Sequence, residues 1–325
     1  MESGSARPRD DDLDSYGSVG RSAWMDVDWS AHQRWLEVED QWVNIVEIGS
    51  GPPLLLIHGL SCWQSWLENI CAFASDHRVI AIDLPGFGRS PSPSDPASIP
   101  GYARLVDAVC EALDVERAIV AGNSMGGFIG AELAIRFPGR VERLCVAPAI
   151  GLDMEHVRVE RRKNLRSRLE NVLFFVLALL ASRSDFPVRR ARLRRHLLAL
   201  IVAHPELLSG ALILEVVRGT ARPTGFTPAL DAMTRYPIRD RLGEIVCPTL
   251  IIWGEEDRLV PVTDASEFEW LIPDSRKLIY PDTGHLPMLE RPARFNADLR
   301  AFIAEASPQL PPRGRRRRIA SAPRT

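Results

Sequence analysis

Cysteine is scarce and unpatterned in this chain. Cys62, Cys71, Cys110, Cys145 and Cys247 are odd in number, scattered and never spaced C-x-x-C. That spacing excludes a complete disulfide framework and a thiolate metal site, and predicts buried free thiols in a reducing compartment. Charge of one sign is also lacking: a formal net charge of −2 gives no global reason to expect a nucleic-acid partner. No apolar run is long enough for the roughly 20 residues of a membrane helix; Val172 to Ala181 is almost wholly apolar but far too short. Met1 to Ser22 is polar and acidic with no apolar core, unlike a secretory signal, so a cytoplasmic location is expected. Neither a metal-ligand cluster nor a phosphate-cradling loop is present, and no cofactor is expected.

What is present begins with 46% hydrophobic and 25% charged residues over 325 positions, the composition of a globular chain with a sizeable core. The chain is organised around Gly122-Asn123-Ser124-Met125-Gly126-Gly127. Arg117 to Ala121 before it is an apolar run that predicts a buried strand. Phe128 to Phe137 after it has the spacing of a helix, stopped by Pro138-Gly139. Ser124 therefore falls on a strand-to-helix turn in a G-x-S-x-G pattern. A serine held in a strained backbone at the tip of such a turn leaves no room for side chains at Gly122 and Gly126. The return is an exposed hydroxyl at the amino end of a helix, where backbone N–H groups favour negative charge.

Around that turn the chain alternates strand and helix. Arg34 to Ile48 alternates as two antiparallel strands turning at Glu39-Asp40-Gln41. Leu54 to Ile57, Val79 to Ile82, Val141 to Ala147, Thr249 to Trp253 and Ser275 to Tyr280 read as strands of a parallel sheet. Tyr102 to Leu113 reads as an amphipathic helix and Pro292 to about Ala306 as a closing one. Residues 1–23 and 307–325 have the composition of disordered tails, the second carrying Arg315 to Arg318. The core is then expected over 24–150 and 238–306, interrupted by a helical, Arg- and Leu-rich insertion over 151–237.

Four short patterns carry a resemblance. They are the Ser124 elbow; His58-Gly59 directly after a strand; Asp83-Leu84-Pro85-Gly86-Phe87-Gly88-Arg89-Ser90; and Gly284-His285 followed by Glu290 and Pro292. Together, over about residues 34 to 305, the chain resembles the α/β-hydrolase family. The resemblance implies a mostly parallel sheet flanked by helices, with the insertion as a helical cap over the pocket. It implies a triad in the order Ser124, Asp257, His285, each just beyond a strand's carboxyl end. It also implies an oxyanion hole built from the backbone N–H groups of Leu60 and Met125.

Alternatives to these roles are present in the sequence. His58 and Asp83 also follow strands, and both read as structural: the histidine bonding its own loop, the aspartate tying down a Gly-rich turn. Glu255, Glu256 and Asp153 compete with Asp257, which the G-x-x-D-x-x-x-P spacing from Gly254 favours. A serine nucleophile speaks against the branches whose nucleophile is aspartate.

The expected activity is hydrolysis of a small-molecule carboxylic ester or acyl substrate, with an apolar acyl pocket under the cap. The elbow also resembles that of carbon–carbon bond hydrolases acting on ring-cleavage products, which usually carry Trp after the catalytic histidine; Leu286 stands there instead. A cofactor-free perhydrolase, an acyltransferase and a non-enzymatic ligand receptor complete the alternatives. Arginines flank the apolar cap segment at 161–168 and 189–195. They read first as a solvated face, and second as a peripheral contact with anionic membrane or lipid.

Overall fold

A computed structural model of the chain describes residues 13–149, 152, 190–220 and 224–305. An eight-stranded sheet runs through it in the order β1-β2-β4-β3-β5-β6-β7-β8. Strands β1 (Gln33–Val38) and β2 (Gln41–Ile48) form an antiparallel hairpin, and β2 pairs antiparallel with β4 (Arg78–Ile82). From β4 onward every pairing is parallel, through β3 (Pro53–Ile57), β5 (Ala118–Asn123), β6 (Val141–Ala147), β7 (Thr249–Gly254) and β8 (Ser275–Tyr280). The hairpin turns tightly because Glu39 and Asp40 both take positive φ, 48° and 59°, matching the strands' twist without a glycine.

Burial explains the central strands. All six residues of β5 are buried, and Leu54 to Ile57 are at most 1% exposed. Such strands must be apolar on both faces, so they read as continuous runs rather than alternations. Helices cover both faces: α1 (Leu67–Phe73), α2 (Ile99–Ala112), α3 (Met125–Arg136), and further along α7 (Thr263–Leu271), α8 (Pro287–Glu290) and α9 (Pro292–Ala304). Helix α3 begins at Met125, three residues before its apolar periodicity does, because Gly126 and Gly127 hide the signal while packing against backbone. Glu132 on that helix is fully buried, an anomaly resolved by ion pairs to Arg136 and to Arg241, the latter at 3.0 Å.

Between β6 and β7 the chain leaves the sheet. Its described part holds three helices, α4 (Ala191–Leu198), α5 (Gly210–Thr220) and α6 (Phe226–Arg235). Val172 to Ala181, Asp153 and the arginines from 161 to 168 lie outside the described residues. Arg194, expected on a solvated face, is instead buried: its guanidinium donates to the carbonyls of Pro205, Glu206 and Leu208 at 3.1–3.2 Å. A planar fork with five donors suits a turn whose three carbonyls have no other donor among the described residues. Residues 13–22, which composition assigns to a tail, are likewise held in place. Gly17 N–H donates to Glu290 O at 2.7 Å, and Ser22 Oγ to Glu68 at 2.9 Å.

Candidate active site

Ser124, Asp257, His285 and Leu60 each sit in the loop that leaves a parallel strand at its carboxyl end, and Met125 opens the helix that follows β5. Ser124 follows β5 with φ 56° and ψ −120°, a left-handed conformation that is strained for a residue with a side chain. The neighbouring glycines are sterically required. A Cβ on Gly122 would fall 2.2 Å from Gly126 O, and one on Gly126 would fall 2.1 Å from Ile57 O. Among the described residues the Ser124 hydroxyl has no hydrogen-bond partner.

Asp257 and His285 come together across a second pair of loops. Gly254 lets them meet: a Cβ there would lie 2.1 Å from Gly284 O, so only glycine permits the β7 and β8 loops to touch. Glu256 N–H donates to Thr283 O at 2.9 Å and stitches them. His285 Nδ1 lies 2.7 Å from Asp257 Oδ2, with both side chains nearly or fully buried. The other carboxylate oxygen accepts from the N–H groups of Leu259 and Val260, at 2.8 and 2.9 Å. That carboxylate therefore cannot swing away from the imidazole. Glu255 and Glu256 are exposed.

The histidine loop is pinned to the serine elbow by Asn123, whose Nδ2 donates to His285 O at 3.1 Å. Asn123 belongs to the elbow pattern, yet the pattern alone gives no sign of this bond. On the elbow's other side, Gly59 lies so close that a Cβ there would be 2.8 Å from Ser124 Cβ. This seats His58-Gly59-Leu60 against the serine. Among the described residues neither Leu60 N–H nor Met125 N–H has an acceptor, and Met125 opens α3, whose dipole favours an anion.

His58 and Asp83 tie down the loops that follow β3 and β4. Leu84 N–H donates to His58 Nε2 at 3.0 Å, so the proton resides on Nδ1 and is donated to Gly59 O at 2.6 Å. Burial drives the imidazole down to about 4. Asp83 accepts from Trp63 N–H, Arg89 N–H and Asn44 Nδ2 at 2.8–3.0 Å, with Gly88 at φ 55° wrapped around the carboxylate. Burial nonetheless raises it to about 6.

These two shifts oppose each other in the stability profile. Folding strengthens Asp83's hold on its proton, so its contribution is complete below about pH 3.8 and lost as pH rises through about 6. Folding weakens His58's hold, so its contribution is complete above about pH 6.5 and lost as pH falls through about 4. Asp83→Asn removes the first slope and exposes the second. Chemical denaturation of that variant is expected to show stability rising by roughly 3 kcal/mol from pH 4 to 6.5, against a flatter native profile. Equal slopes in the two proteins would contradict the neutral, buried state of His58.

All five cysteines are free, four of them buried, and burial pushes Cys110 and Cys247 up to about 12, far from reactive thiolates. A cleft of about 650 Å3 opens between the Gly88–Ser92 loop and the end of α5, lined in part by Gln64, Arg89, Arg218 and Thr224. Ser124, Asp257 and His285 do not line it. Among the described residues no cluster of ligating side chains could hold a metal, and no helix is long and apolar enough to cross a membrane.

Residues 52–292 match the family described as alpha/beta hydrolase fold. A 2-hydroxy-6-oxo-6-phenylhexa-2,4-dienoate hydrolase of Comamonas testosteroni is 27% identical over 268 residues, covering 80% of this chain and 90% of that protein. A 2-hydroxymuconate semialdehyde hydrolase of Pseudomonas sp. (strain CF600) is 30% identical over 284 residues, covering 81% and 90%. Among solved structures, a membrane phospholipase A described as a bacterial virulence factor superposes with a TM-score of 0.65 at 28% identity, over 83% of this chain and 85% of that one.

Proposed function

The chain belongs to the alpha/beta hydrolase fold family, and on that premise we propose that it is a serine hydrolase that cleaves carboxylic esters through an acyl-enzyme on Ser124. The observation that carries the reading is the buried 2.7 Å contact of His285 with Asp257, on a loop that Asn123 ties to the serine elbow. An imidazole fixed through Nδ1 offers Nε2 as a base, and a serine hydroxyl needs such a base to become a nucleophile.

The roles follow from the chemistry. His285 takes the Ser124 proton as Oγ attacks the ester carbonyl, then delivers it to the departing alcohol oxygen. Water repeats the sequence on the acyl-enzyme and releases the acid. Asp257 holds the tautomer and offsets the imidazolium charge. The N–H groups of Leu60 and Met125 receive the oxyanion, a contribution of roughly 3 kcal/mol per donor in comparable sites. The unpartnered serine hydroxyl is consistent with a base contact that tightens only when substrate closes the site. No cofactor enters the scheme. The exposed Arg192 and Arg195 of α4 would meet lipid headgroups if the substrate is presented at a membrane surface.

A second reading, hydrolysis of a carbon–carbon bond in a ring-cleavage product, is favoured by the names of the two sequence relatives. Leu286 after the histidine weighs against it, since that branch usually places Trp there. Turnover of p-nitrophenyl esters of increasing acyl length, beside a 2-hydroxy-6-oxo-dienoate, decides between them. Ester hydrolysis that exceeds dienoate cleavage and vanishes in Ser124→Ala is the expected result. Dienoate cleavage alone would move the assignment to the second reading. Binding without turnover of either would make the chain a receptor.

A further inference from the structure

Glu290 is fully buried, yet no cation sits within hydrogen-bond reach of its carboxylate among the described residues. Its charge is met entirely by donors. Oε1 accepts from Leu286 N–H at 2.9 Å; Oε2 accepts from Gly284 N–H at 2.8 Å, Ala203 N–H at 2.9 Å and the Tyr16 hydroxyl at 2.6 Å. Gly284 and Leu286 are the two neighbours of His285. The remaining backbone groups of the histidine are also held, its N–H by Ile201 O at 2.8 Å and its carbonyl by Asn123. Tyr16 completes the arrangement from the other direction, because its oxygen also accepts His204 N–H at 2.8 Å. Arg291 lies 5.0 Å above the Tyr16 ring and donates to Asp282 O, fixing that ring on the same loop.

We propose that Glu290 and Tyr16 are positioning residues for His285, forming a clasp in which the amino-terminal segment and residues 201–204 of the insertion jointly set the imidazole's orientation. The physical case is one of hydrogen-bond capacity. Oε2 holds three of the four donors and Oε1 one, and with no cation beside it among the described residues the carboxylate depends on each, so removal of any donor frees the loop to shift. The two N–H donors that flank the histidine make that shift a rotation of the imidazole relative to Asp257. Seating of the insertion and alignment of the base thereby become one event. A displaced base is costly even when every catalytic group remains present.

The clasp rests on the reading of His285 as the base, and its test separates the two. Tyr16→Phe in the full chain removes the donor to Glu290 and the acceptor for His204 N–H while keeping the ring against Arg291. With p-nitrophenyl butyrate, the variant is expected to lower kcat roughly tenfold with KM changed less than twofold. The low-field proton resonance of His285 Nδ1–H should shift or broaden as well, a signature that loss of packing alone would not produce. Glu290→Gln, which turns an amide N–H2 toward N–H donors, should exceed Tyr16→Phe in both readouts if it folds. A Tyr16→Phe protein with native kcat and a native Nδ1–H resonance overturns the clasp, whatever its melting temperature. A native protein that does not turn over the ester defeats the esterase reading instead, and the resonance alone then decides the clasp.

Discussion

Ser124→Gly is expected to destroy ester turnover and at the same time make the protein more stable. Loss of the nucleophile should lower kcat by roughly 10,000-fold or more, leaving only what the oxyanion donors and binding supply. Stability moves the other way because Ser124 occupies φ 56°, ψ −120°, where a Cβ is strained and glycine is not. Relief of about 1–3 kcal/mol is offset in part by the greater freedom of glycine in the unfolded chain, leaving a net gain of about 1 kcal/mol. Ser124→Ala separates the two effects: it loses the same activity but keeps the Cβ, so its melting temperature should stay near the native one. Should glycine and alanine variants melt alike, the elbow stores no strain. Should either retain native turnover, Ser124 is not the nucleophile.

The same contrast shows which features the sequence exposes. Strands buried on both faces are legible because nothing else calls for Leu54-Leu55-Leu56-Ile57 or Ile119-Val120-Ala121 as unbroken apolar runs. Loops that carry chemistry are legible where steric or spacing demands leave few residue choices, as at Gly122, Gly126 and Gly254. What stays hidden is any role set by a partner distant in the chain. Tyr16 sits among polar and acidic residues that suggest a tail, and contacts with Glu290, 274 residues away, with His204 and with Arg291 give it a place. Arg194 misleads for the same reason: an arginine reads as solvated until the carbonyls of Pro205, Glu206 and Leu208 supply the compensating groups. Asn123 lies inside the elbow pattern, yet its bond to His285 O spans 162 residues.

Gly126→Ala is expected to be severely destabilising, on the order of 4 kcal/mol, with loss of activity in whatever fraction still folds. The new Cβ would lie 2.1 Å from Ile57 O and 2.7 Å from His58 O, well inside contact distance, and both obstacles are backbone. Neither can retreat. Ile57 is paired on one side with Ile82 and on the other with Gly122, so moving it breaks ladder bonds to β4 and β5 together. Any residual shift would push His58-Gly59-Leu60 away from the serine and carry the Leu60 N–H out of reach of an oxyanion. Gly130 on the same helix is the control, since a Cβ there meets only side chains, Leu144 Cδ1 at 3.1 Å and Val120 Cγ1 at 3.4 Å. Its replacement by alanine gains about 0.5–1 kcal/mol of helix preference against a small repacking cost, and should leave stability within about 1 kcal/mol of native. Urea denaturation of the two variants measures the difference directly. If Gly126→Ala unfolds no more easily than Gly130→Ala, then β3 does not press against the elbow, and the oxyanion loop is not held where the proposed chemistry requires it.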